Sequence, residues 1–378
     1  MVAGTFAADY SRNRIVLGLL RDLGFEVVVI RFDLWGSERH ELLSRRKAPL
    51  VRRAIGVYLR LAWRLLRTPT PLFFLVLYPG HLDVRLVSLI GRLRRVPTVY
   101  DHFISLEETA IGDRRLRAEG SLLARLLGRV DRGACRAATV VLADTPVDAD
   151  YFAAHAGLDD ARVRVLWVGA QDEFERSDAT PERGLVFFHG TYIPLHGIDT
   201  IVRAAKLLEG DGIRFRLLGH GQERPAIEEL ARSLQVENVE FADPVPVAEL
   251  PQQIGRGELC LGIFGTTPKA LRVVPNKVFE YLAVGRPVLT ADTPGIRSAF
   301  ANELALVAPG EPQALAQAVR RLLGDAAELA RLAAAGRARF ERDYSRPALG
   351  RLLARHLSEL GLGPPVPAHD ETGAAPGL

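Results

Sequence analysis

Short apolar runs alternate with helical patterns along the whole chain. The runs contain few alternating polar positions, which is typical of strands buried on both faces of a parallel sheet. After a short first strand near the N-terminus, the predicted strands of the first half are Glu26–Ile30, Leu72–Tyr78, Pro97–Tyr100, Thr139–Ala143 and Val163–Val168. Those of the second half are Leu185–Phe188, Arg214–Leu218, Val239–Phe241, Leu259–Phe264, Val288–Thr290 and Leu304–Val307.

The segments between these runs carry apolar residues at the spacing i, i+3, i+4 and i+7, which marks the buried face of a helix. One such stripe consists of Ile198, Ile201, Val202 and Ala205. Regular alternation of strands and helices predicts an α/β fold with parallel sheets and right-handed crossovers.

A polar stretch, Gln171–Arg183, interrupts the alternation, and the pattern restarts near residue 185. We therefore predict two Rossmann-like domains that face each other across a cleft, with ligands at the carboxyl ends of the strands. The predicted parts are a first domain at 1–168, a linker at 169–184, a second domain at 185–345, a helix at 346–361 that packs back on the first domain, and a Pro/Gly/Ala-rich disordered tail at 362–378.

The composition fits two globular cores. The chain has 378 residues, of which 48% are hydrophobic and 25% charged. Its two cysteines, Cys135 and Cys260, make neither a disulfide framework nor a metal-type pair, so we predict no metal site. Residues 1–10 lack the basic and apolar regions of a signal peptide, and no run of about 18 apolar residues exists. These features predict a reducing, cytoplasmic setting.

The net charge of +4 conceals an uneven distribution. Residues 1–100 hold 17 Lys and Arg against 7 Asp and Glu, while the other residues hold 32 against 38. Eight of these basic residues and no acid lie within 43–68, where a stripe of arginines runs beside apolar positions: Arg53, Arg60, Arg64 and Arg67. A cationic amphipathic helix suits the anionic inner leaflet, so we predict a peripheral membrane contact through residues 43–68.

Two other interpretations of the basic segment exist. The first is a solvated basic face of an ordinary helix. The second is a nucleic-acid patch, but no basic–aromatic interleaving and no nucleic-acid motif accompany the arginines. We therefore predict no nucleic-acid partner.

Candidate chemistry concentrates after residue 185, where glycine-bearing turns follow predicted strands and open helices. Turns of this kind let backbone N–H groups approach an anion. The first turn contains Gly190, Thr191 and His196, the second Gly219 and Gly221, and the third Gly262, Phe264 and Gly265.

A fourth motif, Val274–Val288, is more specific. Pro275 and Asn276 are good helix-start residues, and Lys277 and Glu280 follow in the first turn on one face. The positive end of the helix together with Lys277 suits a diphosphate, and a carboxylate beside it can accept hydrogen bonds from two vicinal hydroxyls. The alternative is an ordinary surface pair between Lys277 and Glu280.

The succession of these four motifs resembles the nucleotide-sugar-binding domain of GT-B retaining glycosyltransferases of family 4. The resemblance covers about residues 1–360 and is strongest over 185–300. It implies transfer of a hexose from a UDP- or GDP-linked donor to a saccharide or lipid-linked acceptor, in cell-surface polysaccharide or glycolipid synthesis, without a cofactor or metal. The donor-binding residues that it implies are Gly190, Thr191, His196, Gly219, Gly221, Val245, Gly262, Phe264, Gly265, Arg272, Asn276, Lys277 and Glu280.

The sequence departs from the family pattern at the diphosphate. Glu280 matches the second glutamate of the family's paired motif, which binds the ribose, but Arg272 stands where the first glutamate is expected. The family's usual cations in the first turn are replaced by Thr191 and His196. Lys277, helped by Arg272 or Lys269, is expected to supply the charge instead, and the segment around Val245 matches the base-binding edge.

The resemblance assigns the acceptor to the first domain. Asp101 and His102 follow a predicted strand whose end faces the cleft, near a functional histidine of the family, and they join Lys277 and Glu280 as candidate catalytic residues. Front-side displacement with retention lets the leaving diphosphate take the acceptor proton, so positioning and charge stabilisation carry catalysis. The alternatives are a nucleotide-sugar epimerase of the same fold and a non-catalytic membrane-recruited partner.

Overall fold

The computed structural model describes residues 1–34, 47–113, 120–174 and 177–363. These residues form two parallel six-stranded sheets that follow one another along the chain, each covered by helices on both faces. The predicted α/β class and the two-sheet architecture are confirmed. Most of the predicted tail, residues 364–378, and the first residues of the basic segment, 43–46, lie outside the described part of the chain.

The first sheet has the strand order β2-β1-β3-β4-β5-β6. Its strands are β1 (Val2–Gly4), β2 (Val29–Arg31), β3 (Phe74–Val76), β4 (Thr98–Asp101), β5 (Val140–Ala143) and β6 (Val163–Val165). Its helices are α1 (Ser11–Asp22), α2 (Lys47–Arg67), α3 (Asp83–Arg94), α4 (Leu122–Ala137) and α5 (Pro146–Ala156). Strand β2 is shorter than the predicted Glu26–Ile30, because its partner β1 offers only three residues for pairing.

The second sheet has the order β12-β11-β10-β7-β8-β9. Its strands are β7 (Glu182–His189), β8 (Arg214–Leu218), β9 (Val239–Ala242), β10 (Gly257–Leu261), β11 (Val288–Ala291) and β12 (Ala305–Val307). Its helices are α6 (Ile198–Lys206), α7 (Arg224–Ser233), α8 (Leu250–Arg256), α9 (Asn276–Val284), α10 (Pro294–Ala299), α11 (Pro312–Leu323) and α12 (Ala326–Asp343). Strand β7 begins three residues before the predicted Leu185.

A last helix, α13 (Arg346–Glu359), returns to the first sheet. Its apolar stripe packs against α1 and the strands in one buried cluster, which includes Leu349, Leu353 and Leu357. Arg346 forms an ion pair with Asp22 at the end of α1. Helices α2 to α5 cover the opposite face of this sheet in a second cluster. No helix in the described ranges is long and apolar enough to cross a membrane.

A buried ion pair joins α1 to the carboxyl edge of the first sheet. Arg12 Nη2 lies 2.9 Å from Asp101 Oδ1, and both side chains are fully buried. Arg12 also donates hydrogen bonds of 2.7 Å to the carbonyl oxygens of Leu166 and Trp167 after β6. One guanidinium therefore fixes α1, the end of β4 and the exit from β6 relative to one another.

We predict that Arg12→Met lowers the free energy of unfolding by about 3–5 kcal/mol, because it leaves the Asp101 carboxylate buried without its partner. Chemical denaturation of both proteins measures the loss. Arg320→Met is the control: Arg320 forms a pair with Asp211 at the surface, and its loss costs about 0–1 kcal/mol. Equal losses for the two variants would contradict the structural role of Arg12.

Candidate active site

The exits of β7 and β8 meet above the start of α9, and two glycines permit this contact. A Cβ atom on Gly219, whose φ is +145°, would lie 2.0 Å from the carbonyl oxygen of Gly190. A Cβ atom on Gly190, at φ +150°, would lie 2.9 Å from Lys277 Nζ. Larger residues at these positions would push the two loops apart. The glycines therefore close the loops around the Lys277 ammonium group.

Lys277 lies in the first turn of α9, where only 4% of its surface is exposed. Its Nζ atom has no hydrogen-bond partner and sits 4.3 Å from the centre of the Phe188 ring. Burial lowers the pKa of Lys277 to about 7, although Glu280 nearby acts in the opposite direction. The first backbone N–H groups of a helix have no partner within it, so positive potential adds to this charge.

The two family cations that the sequence lacks are not replaced by equivalent charges. Burial lowers the pKa of His196 well below its usual value, and the charge of Lys277 adds to the effect. His196 is therefore neutral near pH 7. Thr191 is exposed and carries no charge. Lys277 is thus the cation that this pocket offers at its floor.

Glu280 lies one turn further along α9, beside a residue that the sequence analysis missed. Its Oε2 atom lies 3.1 Å from Nε2 of His189, the last residue of β7. The backbone N–H of His189 in turn donates to the hydroxyl of Tyr281. The side chain of Glu280 is about nine-tenths buried, so it is not the solvated surface residue of the alternative interpretation. The position of His189 directly before the first glycine turn was the available signal.

The other predicted donor-side residues line the same edge mostly through backbone. Gly262 packs against Thr290, Gly265 against the Leu195 carbonyl and Gly221 against the backbone of Tyr192. Larger residues would clash at each of the three positions.

Three further predicted residues lie at this edge. The side chain of Phe264 is fully buried in the core, so it has no surface to offer a ligand. Val245 follows β9 and is partly buried, while Asn276 starts α9 and is partly exposed.

Arg272 is engaged by the first domain and not by the pocket around Lys277. Its Nε donates to Asp148 Oδ1 at 3.0 Å, and its Nη2 forms an ion pair with Glu108. Its guanidinium also lies 3.9 Å from the centre of the Tyr151 ring. Two carboxylates compensate its charge, so the expectation that Arg272 supplies charge for the diphosphate does not fit its placement. Arg272 links the two domains.

A pocket of about 280 Å³ lies beside this link. Residues of both domains line it, among them Glu107, Tyr151 and His155 from the first domain and Thr267 and Lys269 from the second. Lys269 therefore faces the space between the domains beside Arg272.

Asp101 and His102 are buried at the end of β4 and do not open to the cleft as predicted. Asp101 binds Arg12, as described above. His102 Nδ1 lies 3.1 Å from the Tyr100 hydroxyl, and its ring packs on Phe152. Burial holds the pKa of His102 well below its usual value, so the ring is neutral. Their assignment as catalytic residues stays a prediction.

Asp144 is a buried carboxyl group that sequence reasoning missed. It directly follows β5, at the same edge of the first sheet as Asp101. Burial raises its pKa well above the usual carboxyl value, and the nearby Asp148 adds to the effect. Among the described residues, no group of three or more His, Cys, Asp or Glu side chains is placed to hold a metal ion.

Comparison with known proteins shows what the second domain is similar to. Residues 183–325 match the family model described as glycosyl transferases group 1. The second domain thus resembles group 1 glycosyl transferases. The alpha-D-kanosaminyltransferase of Streptomyces kanamyceticus is 27% identical over 250 residues, which are 61% of this chain and 63% of that relative. The match thus spans less than two thirds of the relative.

Solved structures extend the likeness to the fold of the whole described chain. HepE of Anabaena in complex with UDP-glucose has a TM-score of 0.69 at 14% identity, covering 95% of this chain and 98% of that one. Sucrose-phosphate synthase of Thermosynechococcus elongatus has a TM-score of 0.67 at 17% identity, covering 88% and 83%. The GT-B fold and the resemblance to glycosyltransferases are confirmed, while membership of family 4 stays a prediction.

We predict that Arg272→Ala loosens the two domains, because it removes both cross-domain ion pairs and the contact with Tyr151. Small-angle scattering should show a larger radius of gyration, and the unfolding transition should broaden or split. Arg297→Ala is the matched control, since Arg297 pairs with Asp292 inside the second domain. An unchanged scattering curve for Arg272→Ala would contradict the proposed link.

Proposed function

We propose that this protein is a retaining glycosyltransferase that moves a hexose from a nucleoside-diphosphate sugar to a saccharide or lipid-linked acceptor. The observation that carries the proposal is the Lys277 ammonium group, which is buried without a hydrogen-bond partner at the start of α9. Burying an unpaired charge is unfavourable unless a ligand compensates it. The match to a glycosyltransferase domain says which class of ligand to expect there.

The geometry suggests how the donor binds. The diphosphate would lie against the first turn of α9, where Lys277 and the helix N–H groups supply positive potential and the glycine loops let the ligand approach. Glu280, which lies beside His189, would accept hydrogen bonds from the ribose hydroxyls. The loop around Val245 at the end of β9 would contact the base.

The proposed chemistry depends on stabilising the leaving group. As the bond from the sugar to the diphosphate breaks, negative charge builds on the phosphate oxygens, and Lys277 together with the start of α9 lies where that charge develops. The acceptor oxygen would attack from the same face and pass its proton to the departing diphosphate. Retention of the anomeric configuration follows from this front-side path.

The choice of donor follows the solved structures of similar fold, and the choice of acceptor follows the pocket between the domains. Solved relatives contain UDP and UDP-glucose, so UDP is the first nucleotide to test, with GDP beside it. For the acceptor, the pocket of about 280 Å³ between the domains is lined by the carboxylates of Glu107 and Glu108 and by Lys269. These side chains could form hydrogen bonds with the hydroxyl groups of a saccharide. A lipid-linked acceptor in cell-surface polysaccharide or glycolipid synthesis would fit a peripheral membrane contact through residues 43–68.

We predict that the protein binds UDP or GDP and that Lys277→Met weakens this binding at least about 30-fold, the loss of one charged hydrogen bond. Glu280→Gln should weaken binding about tenfold, because the amide is a poorer acceptor for hydroxyls. Isothermal titration calorimetry measures both. Lys206→Met is the control, since Lys206 forms a surface pair with Glu209.

The outcome decides between the candidate functions. An absence of nucleotide binding in the unaltered protein would overturn the enzyme proposal and favour a non-catalytic partner. Binding followed by conversion of the donor to its epimer, without transfer to added membrane lipids or saccharides, would favour the epimerase. Mass spectrometry of the products distinguishes these results from a transferred hexose.

We also predict that nucleotide binding takes up a proton above pH 7. Because the pKa of Lys277 is lowered to about 7 in the unliganded protein, the ammonium form decreases as pH rises from 7 to 9. The anionic diphosphate binds that form and raises the pKa again, so affinity should fall by up to about tenfold per pH unit.

Calorimetry at pH 8 in two buffers of different ionisation enthalpy counts the protons. We expect uptake approaching one proton for the unaltered protein and for Lys206→Met, and none for Lys277→Met. Uptake that persists in Lys277→Met would contradict the assignment of this titration to Lys277.

A further inference from the structure

Helices α2, α3 and α4 lie side by side on one face of the first sheet, and each has a second apolar stripe that the core does not use. The inner stripes are buried in the cluster that contains Leu61, Val87 and Ala134. The outer stripes are between 37% and 83% exposed, and they consist of Ile55, Leu59, Trp63 and Leu66 on α2, Leu82, Leu89 and Leu93 at α3, and Leu122, Leu123 and Leu126 on α4. We call this surface the three-helix face.

The charge of the same helices is almost entirely positive. They contain twelve arginines, and their only two carboxylates, Asp83 and Asp131, are buried. In the described ranges none of these arginines forms an ion pair with a carboxylate. Among the described residues, no carboxylate therefore compensates their positive charge.

Arginine side chains also join the helices into one surface through neutral groups. Arg85 of α3 donates to the backbone oxygen of Arg129 on α4, and Arg92 donates to that of Ala137. Arg94 donates to backbone oxygens of Leu65 and Thr68 at the end of α2. Hydrogen bonds to carbonyl groups position these cations without neutralising them.

We propose that the three-helix face docks on an anionic lipid bilayer, with its leucines and Trp63 inserted at the boundary between headgroups and acyl chains. Apolar side chains and uncompensated arginines on one surface are the combination that an anionic bilayer binds, because it offers apolar depth and negative headgroups together. An ordinary solvated basic face would have no reason to expose ten large apolar side chains.

A second copy of this chain fits the surface less well. A symmetric contact would bring each set of arginines against the same set on the partner, with no exposed carboxylate among the described residues of these helices to compensate them. Charge complementarity therefore favours the lipid surface over self-association.

The position of the face connects docking to the interdomain pocket. Helix α4 begins directly after Ser121, and its Ala124 lines the pocket of about 280 Å³ that Tyr151 and Arg272 also line. Leu122, Leu123 and Leu126 are exposed on the same turns of α4. Docking would bring the mouth of the pocket near the lipid surface, where a lipid-linked acceptor could reach it. The use of the pocket by such an acceptor rests on the proposed function, whereas docking does not.

Vesicle flotation with purified full-length protein tests the proposal. We expect binding to vesicles of phosphatidylcholine with 30% phosphatidylglycerol, and little binding to phosphatidylcholine alone. Leu89→Ser with Leu93→Ser should lower the partition coefficient about tenfold or more. Arg60→Gln with Arg64→Gln should lower it about fivefold for each arginine and reduce its salt dependence.

Matched controls come from the second domain. Leu207→Ser replaces an exposed leucine and Arg203→Gln an exposed arginine, both at α6, and neither should change vesicle binding. Circular dichroism melts check that every variant is folded. Lys277→Met should bind vesicles normally, so failure of the proposed function and failure of docking give separate results.

Two outcomes would overturn the proposal. One is vesicle binding that is absent, or that the variants of the three-helix face and the controls share equally. The other is a stable dimer in light scattering that the Leu89 and Leu93 changes dissolve, without any effect of vesicles, which would assign the face to a second copy.

Discussion

A buried ammonium group at the start of α9 is the constraint to which the candidate site of the second domain is built. Lys277 can stay in this position because the loops after β7 and β8 close over it, and these loops can close because Gly190 and Gly219 have no side chains. The lowered pKa of Lys277 is the electrostatic consequence of that closure. The Lys277 Nζ atom has no hydrogen-bond partner among the described residues, so a bound anion would be the first group to accept from it.

The cost of burying charge also explains the charge state of His196 and the position of Arg272. His196 stands where the resembled family has a cation, but burial lowers the pKa of His196, and the positive charge of Lys277 adds to the effect. Arg272 stands where that family has a carboxylate. Its guanidinium forms ion pairs with Glu108 and Asp148 of the first domain and does not reach into the pocket around Lys277. The departures from the family pattern therefore place one cation in the pocket and one between the domains.

The fold could be predicted from the sequence because the patterns that mark strands and helices are local. Buried parallel strands appear as apolar runs and helices as periodic stripes, and neither depends on distant residues. The start of α9 was equally local, since Asn276, Lys277 and Glu280 follow one another in one turn. The pairing of His189 with Glu280, and of Arg272 with Glu108, joins residues 91 and 164 positions apart. No pattern along the chain encodes such partners, and for the same reason the burial of Asp101 by Arg12 was not foreseen.

The distribution of arginine partners separates the two domains more sharply than net charge does. Surface arginines of the second domain are mostly paired with carboxylates, as Arg297 is with Asp292 and Arg320 with Asp211. On the three-helix face, Arg85, Arg92 and Arg94 instead donate to backbone carbonyl oxygens. A paired arginine contributes little field beyond its partner, whereas an arginine on a carbonyl keeps its full charge. Among the described residues, unpaired arginines therefore lie on the same helices that expose leucines, and their charge would orient the first domain toward an anionic surface before any apolar contact forms.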